Sequence, residues 1–175
     1  EGAQVAIKEI LCGSRSELDR AELEVQLLDR VGQELGRDAS RQVPALVAVD
    51  SAHSSRAKWQ VRFAMSRLAG QPLEDYLEAA RTDEARQGGL SSRISEASCF
   101  AGQLLVQLAP ALDRISARVY HRDVTPRNIL VEVQPGRLPR FALVDFGLAV
   151  DADKWRAMEE NAGDLGGDGR YWPTS

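Results

Sequence analysis

Two short polar clusters in the second half of the 175-residue chain restrict its fold more than any other feature. Residues 121–128 read His-Arg-Asp-Val-Thr-Pro-Arg-Asn, and residues 145–147 read Asp-Phe-Gly. Asp123 is a carboxylate that can accept the proton of a hydroxyl group, whereas Asn128 and Asp145 offer oxygen atoms of the kind that Mg²⁺ prefers. We therefore expect the rest of the chain to hold these two clusters together.

Strand-like and helix-like patterns alternate along the rest of the sequence. β-Branched residues in approximate alternation predict strands, and apolar residues at helical spacing predict helices. The expected strands cover residues 2–10, 46–50, 58–65, 129–133 and 141–144, with hairpins between the second and third and between the fourth and fifth, and the expected helices run from Ser16 to Val31, from Pro72 to Leu77 and from Ser95 to Val119.

Local sequence features refine this pattern. Lys8 should face the inner side of the first strand. Pro110 should kink or break the long third helix, because proline lacks a backbone donor and clashes with the preceding turn. Residues 82–92 are polar and residues 151–175 are acidic and rich in glycine. Both stretches are expected to be loops, the second without a core of its own.

Composition excludes several classes of protein. A hydrophobic content of 43% and a charged content of 27% are ordinary for a globular chain. The net charge of -4 argues against a nucleic-acid-binding protein, which would carry a basic surface. Cys12 and Cys99 are too few for a disulfide framework, so we expect reduced thiols in an intracellular, cytoplasmic protein. The longest apolar stretch, Pro44 to Val49, is too short to cross a membrane.

A set of charged and polar residues matches the needs of phosphoryl transfer. The transferred group spreads negative charge over its oxygens, so the site requires a fixed cation, metal ligands and a group that orients the acceptor hydroxyl. Lys8 can supply the cation for nucleotide phosphates, and Glu24 can pair with it and hold it extended. Asp123 can serve as the base, while Asn128 and Asp145 can ligate Mg²⁺.

The motifs that contain these residues resemble a known signature set. Val5-Ala6-Ile7-Lys8, His121-Arg122-Asp123 with Asn128, and Asp145-Phe146-Gly147 are similar to the motifs of the eukaryotic protein kinases. The resemblance implies an α+β, bilobal kinase-like fold that is incomplete. Residues 1–68 would form a small-lobe portion with the hinge, and residues 69–175 a partial large lobe.

The same resemblance implies where ATP and Mg²⁺ would bind. Ala6 and Leu130 would sandwich the adenine ring, and Met65 would be the gatekeeper residue at the back of the pocket. The backbone from Ser66 to Leu68 would supply the hydrogen bonds to adenine. Lys8 would contact the phosphates.

Regulatory residues are also implied. Leu28, His121 and Phe146 match members of the stacked regulatory spine of kinases. Residues 121–128 form the predicted catalytic loop. Arg122, Phe146 and Gly147 would regulate the site by controlling the positions of this catalytic loop and of the segment that follows it.

The sequence departs from the kinase pattern at several positions. No glycine-rich loop precedes Val5, and the chain looks like part of a longer protein. Thr125 replaces the lysine of serine/threonine kinases, and Arg127 resembles a tyrosine-kinase pattern. Threonine followed by proline resembles some divergent protist kinases, which favours serine or threonine as the acceptor. Residues 169–175 end in Pro-Thr-Ser instead of the usual Ala-Pro-Glu.

The segment between Gly147 and Tyr171 has no residue that can be phosphorylated. Residues 148–170 contain no serine, threonine or tyrosine, so no phosphate can form there to pair with Arg122. We hypothesise regulation without phosphorylation of this segment. The alternative is that the segment is simply a mobile acidic loop. The acidic residues that could replace the phosphate charge are Glu159, Glu160, Asp164 and Asp168.

The leading functional hypothesis is a protein kinase that transfers the γ-phosphate of ATP to protein hydroxyls. A pseudokinase or scaffold that retains the fold for partner binding is the alternative, and small-molecule phosphotransferases match the motifs less well. Expected partners are ATP and a protein substrate, with no nucleic acid and no membrane segment. Because the apolar stripe from Leu104 to Ile115 would lack packing partners, we expect the 175 residues alone to be poorly stable and to show little turnover.

Overall fold

The computed structural model describes residues 4–36, 41–53, 58–82 and 90–157. These residues form a mixed α+β structure with small antiparallel sheets and four helices. Within the same residues, no helix combines the length and the apolar character that a membrane span requires.

The first sheet is antiparallel and three-stranded. It consists of β1 (Val5–Cys12), β2 (Leu46–His53) and β3 (Trp59–Ser66), in the spatial order β1-β3-β2. The pairing of β1 with β3 places Ala6 opposite Met65. Along β1 the side chains alternate between exposed and half-buried, and Lys8 lies on the half-buried face as predicted.

Helix α1 (Arg15–Leu35) packs on this sheet and begins earlier than the sequence predicted. Its N-cap is Ser14, not Ser16, because the Ser14 hydroxyl accepts the Glu17 N–H at 3.2 Å and the Glu17 carboxylate accepts the Gly13 N–H at 2.7 Å. This reciprocal arrangement satisfies two donors that the helix start would otherwise leave unpaired. Gly36 ends the helix with a φ of 64°.

The second half of the structure contains short strands and three helices. The sheets are β4-β6-β7 and β5-β8, both antiparallel. The elements in chain order are β4 (Gln71–Pro72), α2 (Leu73–Thr82), α3 (Leu90–Ser116), β5 (Val119–Tyr120), β6 (Ile129–Glu132), β7 (Arg140–Leu143), β8 (Val150–Asp151) and α4 (Ala152–Ala157). The β6–β7 hairpin confirms the expected pairing of residues 129–133 with 141–144.

Several predicted boundaries were wrong. Pro72 lies in β4 opposite Leu130 instead of opening a helix. α3 already begins at Leu90, so the end of the stretch 82–92 is helical, while residues 83–89 lie outside the described residues. α3 continues through Pro110, so the helix is not broken there, and it ends at Ser116 since the chain then enters β5.

The acidic C-terminal stretch was also mispredicted in part. Its first residues form β8 and α4, and the Ala152 side chain is fully buried, so this part does pack against a core. Asp151 acts as the helix cap, because its carboxylate accepts the N–H groups of Asp153 and Lys154. Residues 158–175 lie outside the described residues, and with them the acidic residues proposed as phosphate substitutes.

Two hydrophobic clusters form the core. The first spreads from α1 and the β1–β3 sheet to Ile115 and Phe146, so it includes residues on both sides of position 68. The second contains Leu73, Leu108, Ile129, Val131, Phe141 and Leu143. The expectation that the α3 stripe lacks partners was wrong for most of its residues, since Leu104, Leu108, Leu112 and Ile115 pack into these two clusters. Leu105 of the same stripe is 61% exposed, as expected for a residue without such a partner.

Candidate active site

Lys8 joins two carboxylates that come from distant parts of the chain. Its Nζ lies 2.7 Å from Glu24 Oε1 on α1 and 2.8 Å from Asp145 Oδ1 after β7. The alternation of β1 turns Lys8 toward α1, and the buried face of α1 carries Glu24. The structure therefore brings together the cation, its predicted ion-pair partner and a predicted metal ligand.

Burial and pairing compete in setting the charges of these groups. Burial disfavours the charge of Lys8, but hydrogen bonds from its ammonium group to Asp145 and Glu24 outweigh this and raise its pKa. Burial likewise opposes the charge of Asp145, yet the bond from Lys8 leaves the pKa of Asp145 below its usual value. Burial dominates at Glu24 and raises its pKa despite the nearby ammonium group. Asp145 is therefore the more firmly charged of the two carboxylates.

A cavity of about 290 Å³ opens beside this ion pair. Its polar end is formed by Lys8, Glu24 and Asp145, and the remaining lining is largely apolar. All the residues predicted to bind the nucleotide line it, namely Ala6, Lys8, Met65, Ser66, Leu68 and Leu130. Arg67 of the predicted hinge lines it too, as do Leu28, Pro44, Phe63, Val144 and Phe146, which the sequence did not single out for nucleotide binding.

The predicted hinge segment has most of its amide groups committed within the protein. The Ser66 N–H donates to the Ala45 carbonyl at 2.8 Å, and the Arg67 N–H donates to the Gln4 carbonyl at 3.1 Å. The Ser66 hydroxyl accepts the Ala45 N–H at 2.9 Å. Among the described residues, the Leu68 N–H has no backbone acceptor of this kind. Leu68 is therefore the donor of the segment that can face a ligand.

His121 fixes the start of the catalytic loop. Its Nε2 lies 3.2 Å from the Val144 carbonyl oxygen, and its Nδ1 accepts the Asp123 N–H at 3.3 Å. The ring packs edge-on against Phe146, with centroids 4.6 Å apart. Burial lowers the pKa of His121, which favours the neutral ring that these two contacts require, with the proton on Nε2. Leu28 shares a hydrophobic cluster with Phe146.

Asp123 and Asn128 are held together within the catalytic loop. The Asn128 Nδ2 donates to Asp123 Oδ2 at 2.7 Å and to the Asp123 carbonyl at 3.0 Å. The Val144 N–H donates to the Asn128 carbonyl at 2.8 Å, which places the loop beside the residue that precedes Asp145. Because Asn128 uses its NH₂ group for Asp123, its side-chain oxygen is left for a ligand.

Backbone geometry marks both polar clusters. Arg122 and Asp145 each have a φ of 64°, in the left-handed region that costs a non-glycine residue about 1 kcal/mol or more. Gly147 lies against the ion pair, since a Cβ there would be 3.2 Å from Asp145 Oδ1 and 3.5 Å from Lys8 Nζ. A larger residue at position 147 would therefore crowd the Asp145 carboxylate.

The side chains at this site can bind Mg²⁺ only if a ligand supplies the remaining oxygen atoms. Within the described residues, no three histidine, cysteine or acidic side chains converge on one point. Asn128 and Asp145 supply one amide and one carboxylate oxygen, and Mg²⁺ commonly completes such a partial set with phosphate oxygens and water. The residues therefore fit a metal that arrives with a nucleotide.

Thr125 and Trp155 differ most from the sequence expectations. Thr125 is 2% exposed, and among the described residues its hydroxyl has no hydrogen-bond partner, so its side chain is buried and not available to a ligand. Trp155 was not singled out, yet its ring lies against the Arg122 guanidinium group at 4.3 Å. The sequence feature that could have predicted α4, the helix that carries Trp155, was Asp151, because it is a good N-cap residue and a short run compatible with a helix follows it.

Comparison with known proteins does not add a family to this description. No protein-family model matches the chain, and no curated protein matches it.

Proposed function

We propose that this protein is a protein kinase that transfers the γ-phosphoryl group of ATP to protein hydroxyls. The observation that carries the proposal is the double contact of Lys8 with Glu24 and Asp145 at the polar end of a largely apolar cavity. A nucleotide needs this combination, with an apolar slot for its base and fixed charge for its phosphates. In this interpretation the two halves of the structure are the small lobe and part of the large lobe.

The cavity residues would position the nucleotide. Adenine fits between Ala6 and Leu130 and can accept a hydrogen bond from the Leu68 N–H, while Met65 closes the back of the slot. The phosphates then lie near Lys8. Glu24 keeps the Lys8 side chain extended toward them, because it remains the partner of Lys8 when Asp145 turns to a ligand.

The catalytic loop would supply the remaining chemistry. Asp123 accepts the proton of the acceptor hydroxyl, and the Asn128 amide holds its carboxylate in place. Asn128 and Asp145 would hold Mg²⁺, which neutralises charge on the phosphate oxygens when bound. Serine or threonine is the proposed acceptor, because Thr125-Pro126 resembles the catalytic loop of divergent serine/threonine kinases.

A phosphotransfer assay with ATP and Mg²⁺ tests this function. Lys8→Met, Asp123→Asn and Asp145→Asn should each reduce the turnover, the last two by roughly 10²-fold or more. Glu9→Gln is the matched control, since Glu9 lies on the exposed face of the same strand as Lys8. Equal activity of the wild type and Asp145→Asn would contradict the proposal.

One observation favours a scaffold as the second candidate. Asp145 is already satisfied without a nucleotide, because its Oδ1 accepts bonds from Lys8 Nζ at 2.8 Å and from the Gly147 N–H at 3.3 Å. A pseudokinase could keep this arrangement as a structural link between β1 and the segment after β7. Unchanged thermal stability on addition of ATP and Mg²⁺, together with absence of phosphotransfer, would favour the scaffold over the kinase.

A further inference from the structure

Trp155 on α4 lies directly against the loop that carries Asp123. The Arg122 guanidinium carbon is 4.3 Å from the centre of the Trp155 ring, a distance at which the ring face attracts the cation. Arg122 has a backbone φ of 64°, a conformation that an L residue keeps only where its surroundings hold it. The contact with Trp155 therefore restrains the residue immediately before Asp123.

The start of α4 is fixed to two other elements. The Asp151 carboxylate caps the helix by accepting the Lys154 N–H at 3.0 Å, and it also forms an ion pair with Arg30 of α1. The N–H of the fully buried Ala152 donates to the Arg118 carbonyl at 2.9 Å. α1 is the helix that carries Glu24, so α4 connects that helix with the catalytic loop.

The end of α4 is also anchored. Arg156 donates from Nη2 to the Ser116 carbonyl at 3.1 Å and from Nε to the Tyr120 hydroxyl at 3.0 Å. Trp155 therefore projects from a short helix that is held at both ends, which gives its ring a defined position. A ring that keeps one position can restrain Arg122 persistently.

The sequence explains why such a restraint would be needed. Phosphorylated loops are commonly ordered by an arginine that pairs with the phosphate, but residues 148–170 contain no serine, threonine or tyrosine. We infer that Trp155 is a positioning residue that holds Arg122, and with it the catalytic loop, without phosphorylation of this segment. The inference rests on the proposed kinase function and concerns the regulation of that site.

Two kinds of measurement on the purified protein test this inference, namely kinase kinetics and hydrogen exchange of residues 121–128. Trp155→Ala should lower kcat roughly 3- to 30-fold with little change in the KM for ATP, and should speed exchange in the catalytic loop. Trp155→Phe should restore most of both properties because it keeps an aromatic face, whereas Trp155→Leu should not. Phosphatase treatment should leave the wild-type activity unchanged.

Lys154→Ala is the matched control, because Lys154 is an exposed residue of the same helix and its side chain makes none of the contacts that anchor α4. It should affect kcat and loop exchange less than Trp155→Ala does. Thermal melting identifies any variant that fails to fold, and Trp155→Leu then replaces Trp155→Ala in the comparison because it fills more of the vacated volume.

The inference is overturned if Trp155→Leu matches the wild type in both measurements, if Lys154→Ala is as damaging as Trp155→Ala, or if phosphatase abolishes activity. Loss of activity in the double variant Asp164→Lys, Asp168→Lys with full activity in Trp155→Ala would assign the role to acidic residues instead. A wild type that transfers no phosphate, but whose loop exchange still responds to Trp155→Ala, would contradict the proposed function and leave the positioning role standing.

Discussion

At the residue scale, Lys8 is the neighbour that most favours the charged form of Asp145. Asp145 is half-exposed, and burial alone would make its carboxylate harder to ionise. The Lys8 ammonium group reverses this effect and lowers the pKa of Asp145. At Glu24, which is more deeply buried, burial outweighs the lowering effect of the same ammonium group, and the pKa is raised. One lysine therefore leaves its two carboxylate partners with pKa shifts of opposite direction.

These opposite shifts predict a specific pH dependence of stability. The pKa of Asp145 is lowered from 3.8, so its contribution to the free energy of unfolding is present above pH 3.8 and is lost as the pH falls through the lower, folded value. The pKa of Glu24 is raised from 4.5, so its charged form destabilises the fold at pH values above the folded pKa, and this destabilisation is lost as the pH falls toward 4.5. The free energy of unfolding is measured with urea between about pH 3 and pH 8.

Two variants separate these contributions. The stability difference between the wild type and Asp145→Asn should be constant at neutral pH and shrink below pH 3.8. For Glu24→Gln, the difference from the wild type should change near and above pH 4.5, in the direction that favours the wild type at lower pH. A difference for Asp145→Asn that does not vary with pH would show that Lys8 does not hold the Asp145 carboxylate.

At the element scale, α1 shows how a helix start depends on one residue. The Ser14 hydroxyl caps the helix, while Ser16 is an exposed residue inside the first turn. Ser14→Ala should lower the free energy of unfolding by about 1 kcal/mol, because the Glu17 N–H loses its acceptor. Ser16→Ala should change it by less than about 0.5 kcal/mol. Urea unfolding of both variants checks this, and a larger effect of Ser16→Ala would contradict the assigned cap.

The same helix illustrates what the sequence could predict and what it could not. Apolar spacing was sufficient to predict α1, both sheet hairpins and the inward face of Lys8, because these depend on local periodicity. Ser14 and Ser16 are the same residue type, and the structure distinguishes them by the bond from the Glu17 N–H to the Ser14 hydroxyl and by the bond from the Gly13 N–H to the Glu17 carboxylate. α4 was missed because its burial depends on Arg118 and Tyr120, which are far away in sequence.

The features of the candidate site likewise fall into those that the sequence could predict and those that it could not. Lys8, Asp123, Asn128 and Asp145 could be predicted because each has a motif around it. The sequence could not show that the Ser66 and Arg67 N–H groups are used internally, or that Thr125 is buried. Both facts depend on tertiary contacts, which no local pattern encodes.

At the scale of the whole molecule, one hydrophobic cluster joins the β1–β3 sheet to the second half of the chain. Leu27 of α1 is fully buried in it, together with Phe63 of β3, Ile115 of α3 and Phe146. The ion pairs of Lys8 with Asp145 and of Arg30 with Asp151 cross between the same two halves. Because the packing is shared, the two halves should unfold as one cooperative unit.

Removing a shared core residue tests this cooperativity. Leu27→Ala should lower the free energy of unfolding by about 2 to 5 kcal/mol, since it leaves a cavity in the common cluster. Leu77→Ala is the matched control because Leu77 is 38% exposed, and it should lower the free energy of unfolding much less.

Hydrogen exchange then reports on each half separately. In Leu27→Ala, the most slowly exchanging amides of β3 and those of α3 near Ile115 should lose protection against hydrogen exchange, and the free energy of opening should fall by the same amount in both elements. Weaker protection of β3 alone would show that the halves are independent, and the active site would then lie between two units held only by ion pairs.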